Sequence, residues 1–65
     1  MLIQFSREIV GALRAQGARA LILSGLISAD VEPIIAEFGR KRGLGEPARV
    51  LEKGDWRGIG WLIGR

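Results

Sequence analysis

A single apolar run constrains the fold of this chain more than any other feature. Residues 19–27 read Arg-Ala-Leu-Ile-Leu-Ser-Gly-Leu-Ile, and ten consecutive residues from position 20 to position 29 carry no charge. An amphipathic helix would place polar residues along one side of such a run, whereas a strand covered on both faces is apolar throughout. The run therefore predicts a strand at 19–27 that is buried on both faces, in an α/β fold.

Two helices flank this strand. Apolar residues recur at helical spacing through residues 3–15, and Gly17 ends this helix because glycine tolerates the left-handed conformation. A second helix follows the strand, with Ser28 or Asp30 able to cap its start. We expect Pro33 in its first turn, where the missing amide of proline costs little.

The C-terminal third carries two short strands. Residues 48–52 and 56–63 are separated by a turn at Gly54. The element order is α-β-α-β-β, in one small domain that spans residues 1–65. We predict a three-stranded sheet of order 1-3-2 with an antiparallel last strand, and the order 1-2-3 is the alternative that periodicity leaves open.

Composition limits how such a chain can be stabilised. A domain of 65 residues buries only about 60% of the surface of its unfolded chain. Without Cys or His it forms no disulfide and no Cys–His zinc site. Yet 48% of the residues are apolar. We therefore expect some of this apolar surface to lie against another chain or a further part of the same protein.

Charge and hydropathy narrow the choice of partners. The net charge is +3, and the basic cluster at residues 40–42, Arg-Lys-Arg, suits a helix C-terminus, whose dipole favours cations. A phosphate-binding patch is the functional alternative. The uncharged run is too short to cross a bilayer, and residues 1–8 lack the basic start of a secretory signal. We expect a cytoplasmic protein with no membrane partner, and we do not expect nucleic acid to be its main partner.

Few residues could carry catalysis. His and Cys are absent, and Ser24 lacks the Gly-x-Ser-x-Gly setting of a hydrolase nucleophile. We expect its hydroxyl to bond to backbone at the strand end. The carboxylates of Asp30 and Glu32 suit a helix N-terminus, and those of Glu52 and Asp55 suit a solvated turn. The C-terminal glycines lack the spacing of a dinucleotide-binding loop, so the sequence predicts no catalytic and no metal site.

The two tryptophans lie an odd number of positions apart. Trp56 and Trp61 therefore point to opposite faces of the last strand. If both faces are covered, both indoles belong to the core, and Trp56→Ala would then cost about 3–5 kcal/mol. Stacking on a nucleic-acid base is the alternative for an indole that stays exposed.

Two short motifs stand at strand ends: Leu-Ser-Gly-Leu at 23–26 ends the apolar strand, and Asp-Trp at 55–56 opens the last one. With the element order, these motifs resemble the C-terminal part of class I methyltransferases, which use S-adenosylmethionine on a Rossmann-like sheet. The chain looks most like the lysine methyltransferases that modify protein eleven of the large ribosomal subunit. This resemblance implies a last strand that is antiparallel and inserted beside its neighbours.

The resemblance does not extend to the chemistry of that family. Its glycine-rich loop, its acidic ribose-binding residue and its Asn-containing motif would all precede Met1, and Gly17-Ala18 stands where the family has Gly-Gly. No catalytic, cofactor-binding or metal-binding residue is carried over. S-adenosylmethionine serves the family, but we expect no cofactor in this chain. Only Ser24 and Gly25 fall where the family's strand end approaches the rim of the active site.

Three hypotheses of different kinds remain. The first is a methyltransferase segment, catalytically silent alone, that a cofactor-binding half completes, with a ribosomal protein as the substrate that the resemblance implies. The second is a self-assembling module that forms a homodimer through the open edge of the strand at 19–27 or by exchanging its N-terminal helix. The third is an RNA- or ribosome-binding domain that uses residues 40–42 and Arg49.

Overall fold

The computed structural model describes residues 2–63 and shows a small α/β fold of two helices and one three-stranded sheet. Helix α2 continues without a break into a π-helical segment. The elements in chain order are a 3-10 turn at Leu2–Phe5, helix α1 at Ser6–Ala15, strand β1 at Ala20–Leu26, helix α2 at Ser28–Ile34, the π-helical segment at Ile35–Lys41, strand β2 at Arg49–Lys53 and strand β3 at Trp56–Leu62.

Strand β3 lies in the middle of the sheet and is antiparallel to both neighbours. In this register Ile59 lies opposite Leu23 on β1 and opposite Val50 on β2. The order β1-β3-β2 confirms the predicted order 1-3-2. A two-residue turn joins β2 to β3, with Gly54 at a φ of 58°. Such a tight turn forces the last strand to run antiparallel to the strand before it.

Helix α1 ends where the sequence predicts. Gly17 has a φ of 70°, its amide donates to the carbonyl of Arg14, and the amide of Ala18 donates to the carbonyl of Leu13 at 2.9 Å. These two bonds form a Schellman motif, which satisfies carbonyls that the end of a helix leaves unpaired. Within residues 2–63, no helix combines the length and the apolarity that crossing a membrane would require.

The proline of helix α2 lies further from the start of the helix than predicted. Pro33 is the sixth residue of the helix counted from Ser28, so the expectation of a first-turn position is wrong. Its nitrogen cannot donate to the carbonyl of Ala29, and the proline ring crowds that carbonyl. Two residues later the helix adopts π spacing, and the amide of Arg42 bonds to the carbonyl of Glu37 at 2.9 Å. π-helical turns of this kind are rare within helices.

The core lies on one side of the sheet. Its largest side chains are Phe38 and Trp61, whose ring centroids are 5.9 Å apart at an interplanar angle of 32°, within the range of favourable aromatic pairs. The indole Nε1 of Trp61 donates a hydrogen bond to the carbonyl of Gly45 at 3.0 Å. The buried apolar residues are Val10, Leu21, Leu23, Leu26, Ile34, Phe38, Ile59 and Trp61.

The prediction that the first strand is buried on both faces is wrong. In β1 the side chains of Leu21 and Leu23 are buried, but that of Ile22 between them is 73% exposed. The core residues contributed by the helices, such as Ile34 and Phe38, belong to one cluster with the buried leucines. The other face of the sheet is left without a covering layer among residues 3–63.

The same asymmetry separates the two tryptophans. Trp61 is 1% exposed, whereas Trp56 is 41% exposed on the uncovered face. The expectation that both indoles are core residues is therefore wrong for Trp56. The opposite orientation of the two side chains is confirmed, because alternate residues of β3 point to opposite faces.

A polar contact ties the two helices together. The buried hydroxyl of Ser6, at the start of α1, donates a hydrogen bond to the Glu37 carboxylate in the π-helical segment. Glu37 also lies 3.7 Å from Nε of Arg42 and 4.0 Å from Nζ of Lys41. The carboxylate thus links residues that are 31 positions apart in the chain.

Candidate functional site

The first feature of interest is the edge of β1 that faces away from β3. The amide of Ile63 donates to the carbonyl of Arg19 at 2.8 Å. Because bonding alternates along antiparallel strands, Leu21 and Leu23 also bond to β3, while the amides of Ala20 and Ile22 face the other way. No strand among residues 2–63 pairs with that edge.

The two edges of the sheet differ in charge. Strand β2, at the opposite edge, carries Arg49, Glu52 and Lys53 among its five residues. Strand β1 carries no ionisable residue over its seven. Charged side chains protect an exposed edge from pairing with other strands, and an uncharged edge lacks that protection. The β1 edge is therefore the one suited to accept a further strand.

The two predicted rim residues lie at the end of β1. The pairing with β3 shifts between Leu23 and Leu26, so Ser24 and Gly25 form a bulge, and Gly25 has a φ of 74°. Both residues are exposed. The expected bond from the Ser24 hydroxyl to backbone is wrong, since no side-chain hydrogen bond among residues 3–63 includes it. Bulges commonly occur beside functional sites.

The second feature is the uncovered side of the sheet, which we call the outer face. Its four large apolar side chains are all exposed, from 41% for Trp56 to 73% for Ile22. A shallow depression of about 250 Å³ runs across it. From the strand register, the residues of the outer face are Ala20, Ile22, Arg49, Leu51, Lys53, Trp56, Gly58, Gly60 and Leu62.

The carboxylates do not form a reaction centre. The Asp30 carboxylate accepts a hydrogen bond from the amide of Ile27 at 3.2 Å, which is a helix N-terminal role. Glu52 lies 3.9 Å from Nε of Arg57 at the hairpin. In the described part of the chain, no three His, Cys, Asp or Glu side chains are grouped so that they could hold a metal ion.

The basic residues also lie apart. Lys41 and Arg42 lie beside Glu37 in the helical layer, whereas Arg49 lies on the outer face. The predicted basic residues thus lie on two different elements, and the RNA-binding hypothesis stays a prediction.

Comparisons with known proteins add no relative: no family model, no curated protein and no solved structure matches this chain. The resemblance to methyltransferases therefore depends on the element order and on the two motifs, at 23–26 and 55–56. The structure brings these motifs to the same end of the sheet, because Leu26 at the end of β1 pairs with Arg57 at the start of β3.

Proposed function

We propose that this chain is the C-terminal sheet unit of a class I methyltransferase, most similar to the lysine methyltransferases of large-subunit ribosomal protein eleven. In this proposal the chain is catalytically silent alone and acts when β1 pairs with the half that binds S-adenosylmethionine. The observation that carries the proposal is the β1 edge. No strand among residues 2–63 pairs with it, and it is uncharged while the opposite edge is charged.

The order of the strands supports the same assignment. Strands β1 and β2 run in the same direction with the antiparallel β3 between them. A further strand added along β1 would extend this unit into a larger, Rossmann-like sheet. The new strand would bond to the amides of Ala20 and Ile22, which face away from β3.

The proposed site would lie where the two sheet portions meet. Ser24 and Gly25 would then stand at its rim, since they end the strand that forms the junction and are exposed. Neither residue is given a chemical step. The cofactor and the groups that position the substrate lysine would come from the cofactor-binding half.

The test supplies that half as a separate polypeptide. The 65-residue chain is mixed with the cofactor-binding half of a methyltransferase for ribosomal protein eleven, and transfer of a labelled methyl group to that protein is measured. We expect transfer only when both polypeptides are present. Titration of the chain alone with S-adenosylmethionine should release no heat of binding. Stoichiometric binding by the chain alone, or no transfer by the mixture, would contradict the proposal.

Proline substitutions at the two edges provide a matched control. Ile22→Pro removes an amide from the open edge of β1 without removing a bond to β3, a position where sheets tolerate proline. Val50→Pro makes the same change at the open edge of β2. We expect Ile22→Pro to abolish methyl transfer by the mixture and Val50→Pro to retain it, with folding of both variants checked by circular dichroism.

A second candidate function is self-association, in which the β1 edge pairs with the same edge of a second copy. Because β1 has no charge to oppose self-pairing, two copies could join their β1 edges into a six-stranded sheet around a two-fold axis. Sedimentation of the chain alone would then show a dimer at micromolar concentration that Ile22→Pro dissociates. A monomer at that concentration would exclude this homodimer and would leave the methyltransferase proposal intact.

A further inference from the structure

The outer face combines an apolar surface with one kind of charge. Its most exposed side chains, Ile22 on β1 at 73% and Leu62 on β3 at 72%, line the depression. The two ionisable residues that the register places on this face, Arg49 and Lys53, are both on β2. The face therefore has an apolar floor and one cationic border.

The floor of this face lacks side chains at two positions of the central strand. A Cβ atom at Gly60 would meet only Cγ1 of Ile22, at 3.7 Å, and the carbonyl of Leu21. At Gly58 the space is filled by the Trp56 ring, whose Cη2 would lie 3.0 Å from such an atom. A ligand can approach the backbone closely at Gly60, between Ile22 on one side and Arg49 on the other.

The dimensions of the face match an α-helix. Two strand spacings separate β1 from β2, which is about 10 Å and close to the diameter of a helix with its side chains. Strand β3 has seven residues, so the face is about 23 Å long and accommodates roughly 15 helical residues.

The charge of this face argues against a second copy as the occupant, and its side-chain composition argues against RNA. A second copy would present Arg49 and Lys53 but no acidic residue of its own outer face, so the two faces could form no ion pair. Single-stranded RNA is recognised by several stacking aromatic side chains, whereas Trp56 is the one aromatic side chain here and its neighbours are aliphatic.

We propose that the outer face binds an amphipathic helix with an apolar stripe and with acidic side chains along the border next to β2. The stripe covers Ile22, Leu51 and Leu62, and the acidic residues pair with Arg49 and Lys53. Helices commonly bind apolar grooves through side chains at i, i+3, i+4 and i+7. This inference concerns a different surface from the β1 edge and does not depend on methyl transfer.

The test titrates the isotope-labelled chain with a designed helix and follows amide chemical shifts. The probe is a peptide of roughly 18 residues of Leu, Ala and Glu, long enough to form a helix, with Leu at helical spacing and Glu along one flank. The control peptide has Lys in place of every Glu. We expect shifts confined to the three strands, and about tenfold weaker binding of the Lys peptide.

Two exposed β-branched residues provide matched variants of the protein. Ile22 is on the outer face, whereas Val50, 42% exposed, lies opposite Ile59 on the other face of the sheet. We expect Ile22→Thr to weaken peptide binding about tenfold and Val50→Thr to leave it unchanged. Both side chains are exposed, so both variants should fold.

Four results would overturn the inference. The first is equal binding of the Glu and Lys peptides, the second is chemical shift changes located on the helices, and the third is no effect of Ile22→Thr. The fourth is an outer face that binds a ten-nucleotide oligouridylate but does not bind the peptide. The failure of this test would leave the methyltransferase proposal untouched, because that proposal is measured by methyl transfer across the β1 edge.

Discussion

The two faces of strand β3 have similar chemistry and opposite environments. On one face Ile59 and Trp61 are each 1% exposed, and on the other Trp56 is 41% and Leu62 is 72% exposed. Each face offers one tryptophan and one aliphatic side chain. The difference therefore comes from what lies against each face, and the composition of the strand does not predict it.

The covered side is also packed more tightly than the open side. A Cβ atom at Gly39, in the π-helical segment, would lie 2.6 Å from the carbonyl oxygen of Gly45. A Cβ atom at Gly60 on the outer face would have its nearest neighbour at 3.7 Å, an ordinary contact. Close backbone approach thus holds the loop after the helix against the core, while the outer face keeps room for a ligand.

The sharpest test of this comparison is to remove each tryptophan in turn. Trp61→Ala deletes a fully buried ring and its hydrogen bond to Gly45, and should cost about 3–5 kcal/mol. This loss is comparable to the whole free energy of unfolding of a small domain, so we expect most molecules of this variant to be unfolded. Trp56→Ala should cost roughly 1 kcal/mol, as expected for an exposed position. Urea unfolding followed by far-ultraviolet circular dichroism measures both. Equal losses would show that the outer face is covered in solution.

A smaller effect is expected from adding one methyl group to each side. Gly39→Ala forces the Gly45 carbonyl to move and should destabilise the domain by about 1–3 kcal/mol. Gly60→Ala meets no close atom, and alanine restricts the unfolded chain more than glycine does, so its effect should lie within about 0.5 kcal/mol. Thermal melts of the two variants give the comparison. A destabilised Gly60→Ala variant would contradict the open floor.

The smallest effect concerns two serines. Ser6→Ala removes a buried hydroxyl that bonds to Glu37 and should cost about 1.5 kcal/mol, as for a hydrogen bond to a charged group. Ser24→Ala, at the exposed bulge, should change stability by less than about 0.5 kcal/mol. Measured together in urea, these variants separate a structural serine from one that is available to a partner. A large loss of stability in Ser24→Ala would show that Ser24 has a structural role and is not available to a partner.

The candidate surfaces were only partly predictable from the sequence. The open edge of β1 was expected, because a strand order of 1-3-2 leaves one side of the first strand without a partner. The outer face was missed, because β1 is apolar at alternate positions on both sides, as Leu21, Ile22 and Leu23 show. A signal was available in the two glycines of β3, since glycine in a strand often marks the close approach of another backbone.

Local sequence patterns account for the elements and most of their ends. Periodicity locates the helices and strands, Gly17 ends α1, and Gly54 forms the turn between β2 and β3. These features depend on local backbone preferences. Tertiary contacts set which face of the sheet is covered and that Ser6 bonds to Glu37. Those outcomes depend on contacts between residues far apart in the chain, and no local pattern encodes which of two apolar faces the helices will cover.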